Sequence, residues 1–173
     1  MSFLTRIFAA RAERAALAPL YRAVVAAGRD PFWYRHGGVP DTLDGRFAMV
    51  SALIALVLLR MEAEEEARGP SVLLTELFID DMDGTLRQAG VGDHLVGKEV
   101  GRMMSALGGR LAAFRDSGGD QEAFRAAVRR NVFRDAPPSE EAPALVAERL
   151  ARFRIGLAAT PRGNLLAGRV PAP

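Results

Sequence analysis

The stretch Phe78-Ile-Asp-Asp-Met-Asp-Gly-Thr-Leu-Arg87 fits two different folds. Read as the tip of a strand followed by a loop, it would belong to an α/β protein. Read as a helix, it puts Leu74, Phe78, Met82 and Leu86 at steps of four, on one face. Leu77 and Ile79 flank that stripe, Asp81 lies beside it, and Asp80 and Asp83 turn toward solvent. Ser71 is placed to cap a helix beginning at Val72, and Gly90 to end it. Gly84 is the discordant residue, because a glycine inside a helix costs ~1 kcal/mol relative to alanine.

The strand reading carries chemistry. Asp81-x-Asp83-Gly-Thr-Leu is the hexapeptide of the haloacid-dehalogenase phosphatases, in which the first Asp attacks a phosphoryl group and the second handles the leaving group. That chemistry needs βαβ units on either side, a downstream lysine and an acidic pair for Mg2+. Lys98 is the sole lysine and lies in a helical pattern, and no Asp-Asp pair follows it. A calcium loop centred on Gly84 fails as well, since its first and twelfth positions are Ile79 and Gly90. A metal-dependent phosphatase is therefore the remote alternative.

Helical spacing extends outward from this segment. A first helix, or two broken by Pro19, is expected over about 2–27 with Gly28 at its end. Phe3, Leu4, Ile7 and Phe8 give its first turns an apolar side, but Arg11 and Arg14 fall on nearly the same face, which favours packing onto the domain over a membrane anchor. A loop follows, rich in Pro and Gly and carrying Phe32, Trp33 and Tyr34. Asp41 is a candidate N-cap for a central helix over about 42–68. That helix is apolar on every side from Phe47 to Leu59, which calls for neighbours all around it. Its Glu62, Glu64, Glu65 and Glu66 read as a solvated, fraying end.

Asp93 is placed to cap a helix over about 94–116, in which Gly97, Gly101 and Gly108 would let another backbone approach. Shorter helices are expected over about 121–131 and, after Ser139, to about 159, with Leu145, Val146, Leu150, Phe153 and Leu157 facing inward. Residues 161–173 read as a loose tail. The expected fold is all-α: one irregular bundle of about six helices over 1–160, with 1–19 and 161–173 more loosely attached.

The 173 residues are enough for one core without staples. There are no cysteines and only two histidines, His36 and His94, so thiolate sites are excluded and a zinc site has little to draw on. No nucleophile–base pair, P-loop or dinucleotide fingerprint is present, so no catalytic residue, metal or cofactor is expected. The apolar run 47–59 lies between Arg46 and Arg60 and is too short to cross ~30 Å of hydrocarbon at ~1.5 Å per residue. Arg6, Arg11, Glu13 and Arg14 interrupt any signal-peptide core. The chain reads as cytoplasmic. The net charge of +2 rests almost wholly on arginine, and Arg125, Arg129, Arg130 and Arg134 make an RNA- or ribosome-binding helical protein the main alternative.

Two blocks together, Phe32 to Val50 and Leu74 to Phe114, resemble the ubiquinol–cytochrome c chaperone family. The resemblance rests on the tyrosine followed by Gly-Val-Pro-Asp-Thr-Leu-Asp-Gly-Arg-Phe, then Leu-Phe-x-Asp-Asp-Met-Asp, Gly-Val-Gly-Asp and Gly-Lys. It implies an all-helical, cofactor-free assembly factor whose Asp-Met-Asp element sits in a helix and catalyses nothing. Such a factor binds newly made cytochrome b, near the ribosomal exit tunnel in mitochondria, and assists assembly of respiratory complex III. A bacterial version works in the cytoplasm, peripheral to the inner membrane. Client-binding candidates are Phe32, Trp33 and Tyr34 beside Asp41, Asp44 and Arg46, and Phe78 and Met82 beside Asp80, Asp81 and Asp83. Each set offers an apolar patch rimmed by charge, and the acidic helix would suit positively charged client loops. Core packing is the competing role for Trp33, Tyr34, Phe78 and Met82.

Overall fold

Helix α3, Leu43–Glu62, is the axis about which the chain is wound. Every residue from Phe47 to Leu58 is buried, because helices cover α3 on all sides. The computed structural model describes residues 3–173, with side chains described from residue 12 onward. Around α3 stand α1 (Phe3–Gly28), α4 (Arg68–Gln88), α5 (Asp93–Asp116), α6 (Gln121–Phe133) and α7 (Ala142–Ala159). Two short helices of five residues, α2 (Pro31–Arg35) and α8 (Arg162–Leu166), complete the set, and no strand occurs among the described residues. The outer helices pack in sequence around the axis: α1 on α4, α4 on α5, α5 on α6, and α6 on α7. The expected all-α single domain with six longer helices is what the chain forms.

The opening stretch lies inside α4. Leu74, Phe78, Met82 and Leu86 are its buried face. Its end is a Schellman turn: Gly90 takes φ +82°, its N–H bonds to Arg87 O, and Val91 N–H bonds to Leu86 O at 3.0 Å. Val91 packs against the core at the same corner as Leu86. These bonds commit the Asp81–Leu86 string to a helix. The strand tip that a phosphatase nucleophile needs is not formed there.

Several boundaries differ from expectation. The central helix stops at Glu62, not near 68. Arg60 pairs with Glu64 at 2.8 Å, one 3-10 turn spans Glu65–Ala67, and Arg68 opens α4. The expected fraying acidic end is thereby held by arginines, with Arg115 on Glu62 at 2.6 Å and Arg162 on Glu66 at 3.0 Å. Thr42, not Asp41, caps α3 by accepting from Gly45 N–H at 3.2 Å. Ser71 caps nothing, since its hydroxyl donates to Arg68 O inside α4. Gly92 precedes α5, and Asp93 is its first residue. Pro19 does not break α1, and residues 31–35 form α2 within the expected loop. Leu145 is 44% exposed instead of facing inward. The apolar side formed by Phe3, Leu4, Ile7 and Phe8 lies outside the described side chains.

The segment after Thr160 is packed. Leu165 is buried, Gly168 lies against Pro19 of α1, and Pro171 lies against Gly156 of α7. Arg60 ties the tail down by donating to Leu157 O and Thr160 O. This tail fills the side of the bundle between α1 and α7.

The glycines of α5 do not serve close packing. A β-carbon at Gly97, Gly101 or Gly108 would meet nothing within 4 Å. They keep the helix-weakening cost without a packing return, so Gly101→Ala and Gly108→Ala should each stabilise by about 0.5–1 kcal/mol. Urea denaturation checks this; an unchanged or lower midpoint would contradict an open outer face on α5.

Candidate functional site

The corner between α1 and α3 is built by Asp30. Its carboxylate accepts from Phe32 N–H at 2.8 Å, capping α2, and from Arg149 of α7 at 2.9 Å. Pro31, with no N–H to lose, takes the first helical position. Trp33 then points inward and is 0% exposed, its indole N–H donating to Ala27 O at 2.8 Å. Phe32 is half-buried, edge-on to Trp33 at 5.7 Å, with the Arg149 guanidinium 4.1 Å above its ring. Tyr34 is also half-buried and donates to Gly28 O at 2.7 Å. Burial pushes its hydroxyl up to about 12 against the lowering influence of Arg46 and Arg29.

Asp41 faces this corner from the loop before α3 and accepts from Arg46 Nε at 2.6 Å, a bond that holds its carboxyl below the usual range. Asp44 faces elsewhere: it pairs with Arg134 at 3.0 Å and Arg102 at 3.9 Å, toward α5 and the end of α6. The first candidate set is thus divided. Trp33 is core, Asp44 belongs to another surface, and Phe32, Tyr34, Asp41 and Arg46 remain at the corner.

The second set is divided in the same way. Phe78 is 0% exposed and stacks on Phe47 at 5.9 Å, and Met82 is buried beside the same axis helix. Neither offers a surface to a client in this conformation. The three carboxylates are partnered. Asp81 accepts from Tyr21 Oη at 2.6 Å, and burial followed by this bond drives the tyrosine hydroxyl far above its usual range. Asp80 pairs with Arg14. Asp83 pairs with Arg87 at 2.7 Å, and Arg87 also reaches Asp93. Two of the acids therefore tie α4 to α1, and the third braces the turn into α5.

Arg29 brings the surviving members together. A cavity of about 250 Å³ is lined by Arg29, Tyr34, Arg35, Asp41 and Arg46, and a second of about 380 Å³ by Tyr21, Arg22, Val25, Arg29 and Asp81. The two adjoin at Arg29. Sequence reasoning missed Arg22, Arg29 and Arg35. The available signal was the seven-residue spacing of Arg22 and Arg29, which brings the residue just past the end of α1 onto the same side as Arg22.

The arginines singled out for RNA binding are mostly engaged. Arg129 pairs with Glu140 at 2.7 Å, Arg134 with Asp44, and Arg125 with Glu122 at 3.9 Å. The short helix α6 is therefore not a bare cationic stripe.

A family model described as ubiquinol–cytochrome c chaperone matches residues 35–172. The chain belongs to the ubiquinol–cytochrome c chaperone family. Its structure is similar to the crystal structure of the Cbp3 homolog from Brucella abortus, with a TM-score of 0.80 and 28% identity over 98% of this chain and 96% of that one. No curated protein sequence matches. The family match includes Asp41, Arg46 and the whole of α4, and leaves α1 and residues 31–34 of α2 outside. No described helix of this chaperone-family protein is long and apolar enough to cross a membrane.

Proposed function

We propose that the chain is a non-enzymatic assembly chaperone that binds newly made cytochrome b and assists assembly of the ubiquinol–cytochrome c reductase complex. The observation that carries this reading is membership of the family across residues 35–172. It is supported by agreement of nearly the whole fold with the Brucella abortus protein. The reading places the chaperone on the cytoplasmic side of the inner membrane, as a peripheral protein, where the client first emerges beside the ribosome. The corner formed by Phe32, Tyr34, Asp41 and Arg46, continued by Asp81, is the proposed client surface. It offers half-buried aromatic rings with charge at the rim, which suits apolar client segments flanked by polar loops. Asp80 and Asp83, engaged in ion pairs, belong to its edge.

In-cell crosslinking tests this. A photoreactive residue at Tyr34, Asp41 or Asp81 is expected to capture cytochrome b, and one at the exposed Ile155 of α7 to capture far less. The ribosome-bound fraction should contain the same adduct if capture begins during synthesis. Absence of cytochrome b from every position, together with normal complex III levels in a deletion strain, would remove the reading.

A further inference from the structure

Arg22, Arg29 and Arg35 form no ion pair and no side-chain hydrogen bond among the described residues. Most other described arginines hold a carboxylate, among them Arg14, Arg46, Arg87, Arg115 and Arg129; Arg130 and Arg169 are also unpaired, but they line neither of the two cavities. These three are exposed and line the two adjoining cavities: Arg22 on α1, Arg29 in the turn just after it and Arg35 at the end of α2. The nearby carboxylates are already used: Asp30 by Arg149, Asp41 by Arg46, Asp80 by Arg14, and Asp81 by the Tyr21 hydroxyl. Apolar groups stand between the cations, namely Val25, Ala26 and Pro31. Guanidinium groups separated by small apolar side chains suit a surface that is anionic at the headgroup and apolar just beneath it.

We infer that the face of α1 and α2 carrying Arg22, Arg29 and Arg35 docks on anionic phospholipid headgroups. This rests on the reading that the chaperone works beside the inner membrane, and it names the surface that holds it there. Each guanidinium meets a lipid phosphate in place of the carboxylate it lacks within the protein. Val25, Ala26 and Pro31 lie at the headgroup boundary. Because the attraction is largely electrostatic, it weakens as salt is added. The Tyr34 corner opens on the same side, so a chaperone held this way presents its client surface at the bilayer.

Vesicle co-flotation of the full chain tests the inference. Vesicles of phosphatidylcholine alone are compared with vesicles also containing phosphatidylglycerol. The wild-type chain is expected to float with the anionic vesicles only. The triple variant Arg22→Glu, Arg29→Glu, Arg35→Glu should lose roughly a hundred-fold in partitioning. The triple Arg68→Glu, Arg125→Glu, Arg152→Glu makes the same change in net charge elsewhere and should retain most of it. The corresponding Arg→Ala triple at 22, 29 and 35, with an unchanged helical spectrum, guards against loss of fold. Equal loss in both Glu triples, or no binding of the wild-type chain to anionic vesicles, would overturn the inference. So would a patch variant that loses affinity for a single-stranded RNA while its vesicle binding is unchanged, since the partner would then be nucleic acid. Vesicle binding needs no client, so the two readings fail separately. Flotation through the patch without cytochrome b capture keeps the lipid surface and removes the chaperone reading; capture without flotation does the reverse.

Discussion

Trp33→Ala should lower the stability of the domain by about 3–5 kcal/mol. For a chain of this size that is a fall of roughly 10 °C in the thermal midpoint. Trp33 is fully buried, packs edge-on against Phe32, and satisfies Ala27 O at the end of α1 through its indole N–H. Truncation empties an indole-sized volume and removes the shorter of the two hydrogen bonds to Ala27 O, which keeps only Asp30 N–H at 3.3 Å, and the two losses add. Trp33→Phe separates them: the ring volume is largely kept, one hydrogen bond to Ala27 O is lost while that from Asp30 N–H remains, and a loss of about 0.5–1.5 kcal/mol is expected. Urea denaturation of both variants measures each part. If Trp33→Ala lost less than Trp33→Phe, the packing account of this corner would be wrong. The same burial argues against placing a crosslinker at Trp33 or Phe78, where it would report on the core and not on a client.

Gly45→Ala is expected to be nearly as damaging, although it adds a single methyl group. Gly45 lies in the first turn of α3, and a β-carbon there would overlap the carbonyl oxygen of Pro40 and sit 3.0 Å from its carbonyl carbon. The obstacle is backbone, so no rotamer change relieves it. The loop must lift off or the helix must start later, and either breaks the Thr42 cap. Overpacking against well-ordered structure typically costs about 1–3 kcal/mol, and loss of the cap adds ~1 kcal/mol. The expected result is a protein destabilised by about 2–4 kcal/mol, with Asp41 and Arg46 displaced from the Tyr34 corner. Denaturation midpoints give the first effect. A shift in the tyrosine ultraviolet titration near Tyr34 gives the second, because moving Asp41 and Arg46 alters the charges around its hydroxyl. A midpoint equal to wild type would show that the loop yields freely.

The two predictions explain parts of the sequence that resisted local reading. The run Gly-Val-Pro-Asp-Thr-Leu-Asp-Gly-Arg-Phe supported the family resemblance, yet local spacing pointed to Asp41 as the cap and left Val39, Thr42 and Gly45 without a role. In the structure Val39 is buried, with its N–H bonded to Trp33 O, Thr42 caps, and Gly45 gives the loop room to pass. The run is a device for closing a loop tightly onto the start of the central helix. The Asp-rich string was misleading for a related reason. Its spacing matches a phosphatase motif, but the meaning of each carboxylate depends on what faces it, and here the partners are Arg14, Tyr21 and Arg87.

The sequence alone determined the helical class, the central position of 47–58, the inward face Leu74, Phe78, Met82 and Leu86, and the Gly90 stop. These follow from spacing along one chain, since helix periodicity joins residues three and four apart and a glycine ends a turn by its own conformational freedom. Only the tertiary structure decided that Trp33 and Phe78 are core, that Asp44 serves a different surface from Asp41, and that Arg22, Arg29 and Arg35 lack partners. Those outcomes depend on pairs such as Tyr21 with Asp81, 60 residues apart, and Asp44 with Arg134, 90 apart. Such pairs are set by how helices cross around α3, and a side chain's spacing from its own neighbours carries no information about them.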